Sequence, residues 1–203
     1  VGETFQPRAR SKEDNPIPNP PTLQSLIDAS QASLDRLRGL EPQIAEAAQA
    51  VAASLESGNK ILIAGNGGSC SQAMHFAGEI IGRFRSNRRP YPAICLGTDA
   101  AASSCILNDF GPEEYFVRQV EGLGKPGDVF IGLTTSGTSS NIVAALKKAK
   151  ELGLMTIGWL GRDGGTAKAH CDYPIVVPGT DTARIQEAHL LILHYFAEVV
   201  EAI

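Results

Sequence analysis

The feature that most constrains this chain is an alternation of two patterns. Short, continuous apolar runs at 60–64, 91–96, 128–133, 154–160 and 174–177 are separated for the most part by amphipathic helical patterns at about 69–84, 113–122 and 139–152. A strand with one wet face alternates apolar and polar residues, whereas a run that is apolar throughout has both faces covered. Such runs interleaved with helices predict an α/β fold, a parallel β-sheet flanked by helices on both faces. Two helical segments precede it, at about 22–38 and 42–57, separated by a break at Gly39 and Pro42. Thr22 is placed to cap the first of this N-terminal helical pair, and Gly58 to stop the second. The last segment, 182–203, is helical and apolar around most of its circumference (Ile185, Leu190, Leu191, Ile192, Leu193, Phe196, Val199, Val200), which predicts burial, at a chain terminus in a subunit interface. Residues 1–21 hold five of the twelve prolines and almost no apolar periodicity. They read as a disordered or loosely packed tail, leaving 22–203 as a single domain.

Bulk properties narrow the function. A net charge of −4 argues against nucleic acid or an anionic membrane as the main partner. No apolar run reaches the length of a membrane span and no signal-peptide pattern is present. Cys70, Cys95, Cys105 and Cys171 are scattered, with no CxxC pair. That spacing predicts a reduced, cytoplasmic chain with neither a disulfide framework nor a cysteine zinc site.

Two loops are suited to an anion. Gly65-Asn66-Gly67-Gly68-Ser69 follows an apolar run and feeds a helix. Its glycines let backbone N–H groups turn toward a ligand, and Ser69 is placed to cap the helix and offer its hydroxyl. It is neither a P-loop nor a GxGxxG dinucleotide turn. The second loop, Thr134-Thr135-Ser136-Gly137-Thr138-Ser139-Ser140-Asn141, has six hydroxyl residues in eight, more than a helix cap requires. Hydroxyls with N-terminal amides bind a phosphate monoester without lysine or arginine. On the helix after the first loop, His75 and Glu79 lie four residues apart and share one face, a candidate acid/base or metal pair. The combination points to an enzyme acting on a small phosphorylated substrate.

The GNGGS loop, the TTSGTSSN loop and the βα pattern resemble the sugar isomerase (SIS) domain. MHFAGEIIGRF (74–84), ILNDFG (106–111), the GRDGG turn (161–165) and ARIQEAHLLILH (183–194) narrow the resemblance to the phosphoheptose isomerase family, from about residue 22 to the end. The resemblance implies a single SIS domain and a cytoplasmic homotetramer with active sites between subunits. It implies an isomerase converting sedoheptulose 7-phosphate to D-glycero-D-manno-heptose 7-phosphate, the first step toward activated heptose for surface glycans. It also implies one zinc per subunit on His75, Glu79, Gln186 and His194, and Glu79 with His194 as the acid/base pair. Substrate contacts would come from Asn66, Gly67, Gly68, Ser69, Glu79, Asn108, Asp109, Thr134, Thr135, Ser136, Ser139 and Gln186. Thr134 and Thr138 depart from the Ser and Asn usual in the family, and the first change keeps the hydroxyl. Asn108-Asp109 before Phe-Gly is also good turn chemistry.

Elementary chemistry is compatible with these roles. Ketose–aldose isomerisation moves a proton between adjacent carbons through an enediolate, which needs a carboxylate or imidazole near C1 and C2 and a donor for the oxygens. A divalent cation stabilises such an intermediate. A carboxylate held tightly by zinc is a poor base, however, so the metal and base roles of Glu79 pull against each other. On the terminal helix His194 lies roughly +80° from Gln186 and His189 roughly −60°. Spacing alone leaves either histidine free to join the site; the resemblance selects His194. A second reading is a catalytically silent SIS protein that binds another protein, disfavoured because this chain retains the glutamate and the terminal-helix histidine.

Overall fold

The computed structural model describes residues 20–203; nearly all of the 1–21 tail lies outside the described residues. The chain runs α1 (Leu23–Asp35), a 3-10 turn (Arg36–Leu40), α2 (Glu41–Glu56), β1 (Ile61–Gly65), α3 (Gly68–Ile81), β2 (Ala93–Cys95), α4 (Ala100–Asp109), α5 (Glu114–Leu123), β3 (Val129–Thr134), α6 (Ser140–Glu151), β4 (Met155–Gly161), a 3-10 turn (Thr166–His170), β5 (Tyr173–Val177) and α7 (Thr182–Glu201). The five strands form one parallel sheet in the order β2-β1-β3-β4-β5.

Every residue of β1 and β3 is buried, as runs apolar throughout require. Successive side chains point to opposite faces. Ile61, Ile63, Val129, Ile131, Ile157 and Trp159 meet α2, α3 and α7 in one core. Leu62, Phe130 and Leu160 meet α5 and α6 in the other. Trp159 packs edge-on against Phe76 of α3 and Phe196 of α7, with ring centroids 5.4 and 5.2 Å apart. Those contacts hold α3 and α7 side by side over β4. At the N-terminus Thr22 caps α1, accepting from the Ser25 N–H at 3.1 Å. Arg184 of α7 donates to the Leu26 carbonyl and the Ser30 hydroxyl, tying α1 to the terminal helix.

Several expectations are corrected. The stretch before residue 113 contains a helix, α4, that its periodicity does not announce. Only Ser103 and Ile106 of α4 are buried, so its apolar stripe is too thin to read; its start is marked by Asp99, which accepts from the Ala102 N–H at 2.8 Å. Asn108 and Asp109 therefore end a helix, and the chain turns just after it, where Gly111 has φ of 87°. The break between the first two helices falls where expected and takes the form of a 3-10 turn containing Gly39, while Pro42 sits in the first turn of α2, where its missing N–H costs nothing. α3 stops at Ile81, three residues short of expectation. In the single chain α7 buries one broad face but leaves Leu191 and Tyr195 48% and 39% exposed. No helix among the described residues is long and apolar enough to cross a membrane.

Candidate active site

In open parallel sheets ligands bind beyond the carboxyl ends of the strands, where the strand order reverses. With the order β2-β1-β3-β4-β5 that point lies between β1 and β3. The two loops singled out from the sequence leave these two strands. They are joined directly: Asn66 and Asn141 exchange two side-chain amide hydrogen bonds, each 2.9 Å long.

The first loop turns sharply at Gly67, whose φ of 54° suits glycine. Gly67, not Ser69, is consequently the N-cap of α3; Ser69 lies in the first helical turn with its side chain buried. Gly68 is exposed and faces α7. A Cβ there would come within 2.5 Å of the Gln186 Nε2, so the glycine makes room for that amide. The Gln72 amide donates to the Gln186 carbonyl at 2.6 Å, fastening the two helices at this level.

The second loop folds its hydroxyls onto one another. Thr134 Oγ1 lies 2.9 Å from Ser139 Oγ and 3.2 Å from Ser136 Oγ, and Ser136 Oγ accepts from the Thr138 N–H and hydroxyl. Ser139 is the N-cap of α6 yet makes no capping bond with its side chain, which turns to Thr134 instead. Thr135 is half-buried beside this cluster. Ser136 and Thr138 line an open cavity of about 460 Å³ together with Arg162, Asp163, Gly179 and Thr180. Arg162, at the head of the GRDGG turn, is the one non-glycine residue with positive φ (57°) among those described, and spacing gave no reason to choose it.

The third group lies further along the same two helices. His75 Nε2 and Glu79 Oε1 are 2.9 Å apart on α3. The His194 ring, on α7, meets the His75 ring edge-on at 5.2 Å. Donor atoms of His75, Glu79 and His194 all lie within 4.8 Å of one another. Two imidazole nitrogens and one carboxylate oxygen form the donor set of a catalytic zinc site, which keeps a further position open for water or substrate. The residues present therefore fit zinc.

The two α7 histidines occupy different surroundings. His189 is fully buried beneath the sheet, 3.2 Å from the Leu160 carbonyl, and burial lowers its pKa to about 4 despite that contact. It is a neutral core residue that donates from Nε2 to the carbonyl. Gln186 stands eight residues before His194, about 12 Å along the helix, with its amide at Gly68 rather than among the trio. Asn108 and Asp109 are exposed at the end of α4. Asn108 Nδ2 donates to Asp109 Oδ1 at 2.7 Å, and Cys105 Sγ lies 3.5 Å from Asp109 Oδ2. The Cys95 and Cys171 thiols are pushed up to about 12, burial being the main cause, which removes them as nucleophiles at neutral pH.

The SIS domain profile matches residues 26–161. The chain is 48% identical over 162 residues to the phosphoheptose isomerase of Trichlorobacter lovleyi, covering 80% of this chain and 83% of that one. Its fold superposes on the structure of a phosphoheptose isomerase from Neisseria gonorrhoeae with a TM-score of 0.80 at 37% identity, covering 90% of this chain and 100% of the other. A phosphoheptose isomerase structure from Francisella tularensis gives a TM-score of 0.86 at 34% identity, over 89% and 96% of the two chains.

Proposed function

This chain belongs to the SIS domain family, as one of its phosphoheptose isomerases, and from that premise we propose which of its residues carry the reaction. The reaction is the isomerisation of sedoheptulose 7-phosphate to D-glycero-D-manno-heptose 7-phosphate. The observation that carries the site assignment is the meeting of His75, Glu79 and His194 on the adjacent helices α3 and α7.

The phosphate sits in the crevice between β1 and β3, on the hydroxyls of Thr134, Thr135, Ser136 and Ser139 and on the amides of Asn66, Gly67, Gly68 and Ser69 at the head of α3. The N-terminal ends of α3 and α6 favour the anion. The sugar chain runs from there toward the trio. Glu79 removes the proton from C1 and returns it at C2, and His194 moves the hydroxyl proton between O1 and O2, so that proton and charge balance. His75, Glu79 and His194 would hold zinc, with Glu79 as an exchangeable ligand that frees its carboxylate for the base step, and the metal would supply electrostatic stabilisation of the enediolate oxygens. Gln186, with its amide at Gly68, contacts the sugar, and Asn108 and Asp109 contribute from the end of α4.

We further propose a homotetramer with active sites between subunits. His75 and Glu79 are 41% and 21% exposed in one chain, more open than an enediolate tolerates. Met74, Ile81, Leu191 and Tyr195 expose apolar surface on these same helices. The four free cysteines accord with a cytoplasmic location. The test is a turnover assay with several ketose phosphates in parallel. Sedoheptulose 7-phosphate is expected to be the preferred substrate; turnover of none of them would refute the reading.

A further inference from the structure

His194 is carried by α7, but its imidazole is not positioned by α7 alone. Its ring lies against the Phe84 ring, centroids 5.5 Å apart and planes 25° from parallel, and it also meets the His75 ring edge-on. Phe84 stands in the irregular segment after α3, with no regular backbone ladder to place it. Instead the Glu201 carboxylate accepts the backbone N–H groups of Phe84, Arg85 and Ser86 at 3.1, 3.0 and 3.1 Å. Burial opposes the charge on Glu201, yet these three N–H groups and Arg88 keep its pKa below the ordinary carboxylate range. Arg85 adds an ion pair with Glu198, and its guanidinium lies 5.2 Å from the Phe84 ring. Arg88 closes the segment by donating to the Glu79 and Ile80 carbonyls at 2.7 and 2.8 Å, on the turn of α3 that bears Glu79. Glu198 and Glu201 lie four and seven residues beyond His194, on its face of α7.

We propose that Phe84, anchored by Glu201, is the positioning residue of His194, fixing the imidazole plane in which it serves the reaction and holds zinc. This rests on the assignment of His194 above. The physical reason is that a catalytic group must be held within a fraction of an ångström, and a flat ring stacked on an imidazole restricts its two side-chain torsions, as neighbouring groups do for metal-bound histidines. A leucine of similar bulk fills the space without a flat face; a tyrosine keeps the face.

The experiment compares wild type with Phe84→Leu, Phe84→Tyr and Glu201→Gln, measuring kcat and KM and, separately, zinc affinity by competition with a chromophoric chelator. Thermal unfolding and oligomeric state of each variant are recorded alongside. Phe84→Leu is expected to lower kcat and zinc affinity each by about tenfold with KM within about twofold, and Phe84→Tyr to stay within about twofold in all three. Glu201→Gln, which keeps an acceptor but loses the charge, falls between them. Phe84→Leu matching wild type, or Phe84→Tyr losing as much as Phe84→Leu, overturns the proposal. Unfolding of Phe84→Leu transfers the decision to Glu201→Gln, where unchanged kcat and zinc affinity overturn it. A wild type that neither turns over the substrate nor binds zinc refutes the underlying site assignment instead.

Discussion

Asn66 and Asn141 bond each other twice, Nδ2 to Oδ1 in both directions at 2.9 Å, across the point where the strand order of the sheet reverses. Asn66 follows β1 and Asn141 opens α6 after β3, so the pair sets the width of the crevice assigned to the phosphate. Asn141→Ala removes both bonds, each contributing about 1 kcal/mol. Steady-state kinetics are expected to show KM raised by about tenfold and kcat changed by less than about twofold.

A second expectation concerns Gly68. The Cβ of Gly68→Ala meets the far end of the Gln186 side chain, which is free to swing aside. Stability should therefore change by less than about 1 kcal/mol, while the displaced amide costs activity. Thermal unfolding and kcat/KM measured on one preparation separate the two: a nearly unchanged Tm with at least about tenfold lower kcat/KM is expected.

His189 gives the fold a pH dependence of its own. Its pKa is about 4 in the folded chain, lowered chiefly by burial, against about 6.5 when unfolded. The unfolded state binds the extra proton between these values, so the contribution of His189 to stability is complete above pH 6.5 and is lost as the pH falls toward 4. His189→Gln removes that titration. Urea denaturation at pH 7.5 and 4.5 is expected to show wild type losing about 2 to 3 kcal/mol more than the variant between the two conditions.

For the metal, elemental analysis with a chelator titration is the relevant pair. One zinc per subunit and loss of turnover on chelation, restored by added zinc, are expected. Full activity with no bound metal would remove zinc from the account.

How much of this was legible beforehand follows from where each signal resides. β1, β3 and β4 announce themselves because both faces of each strand are covered, and the two loops because glycines and hydroxyls leave a local mark. α4 leaves none, since two buried residues make no stripe. The Asn66–Asn141 pair depends on β1 and β3 being neighbours although β2 intervenes in sequence, a property of the sheet rather than of either loop. The different surroundings of His189 and His194 are likewise set by what packs against α7: the Leu160 carbonyl against one, His75 and Phe84 beside the other. Phe84 belongs to a stretch the sequence made part of a helix; its placement comes from Glu201, 117 residues away.

The central claim is that His75, Glu79 and His194 form the isomerase centre. NMR detection of the aldose product from sedoheptulose 7-phosphate, with wild type and Glu79→Gln side by side, tests it most directly. Wild type is expected to form the aldoheptose 7-phosphate, and Glu79→Gln, folded and with unchanged oligomeric state, to be slower by at least about 100-fold, the loss typical of removing a positioned base. Formation of the product at the wild-type rate by Glu79→Gln would contradict the account.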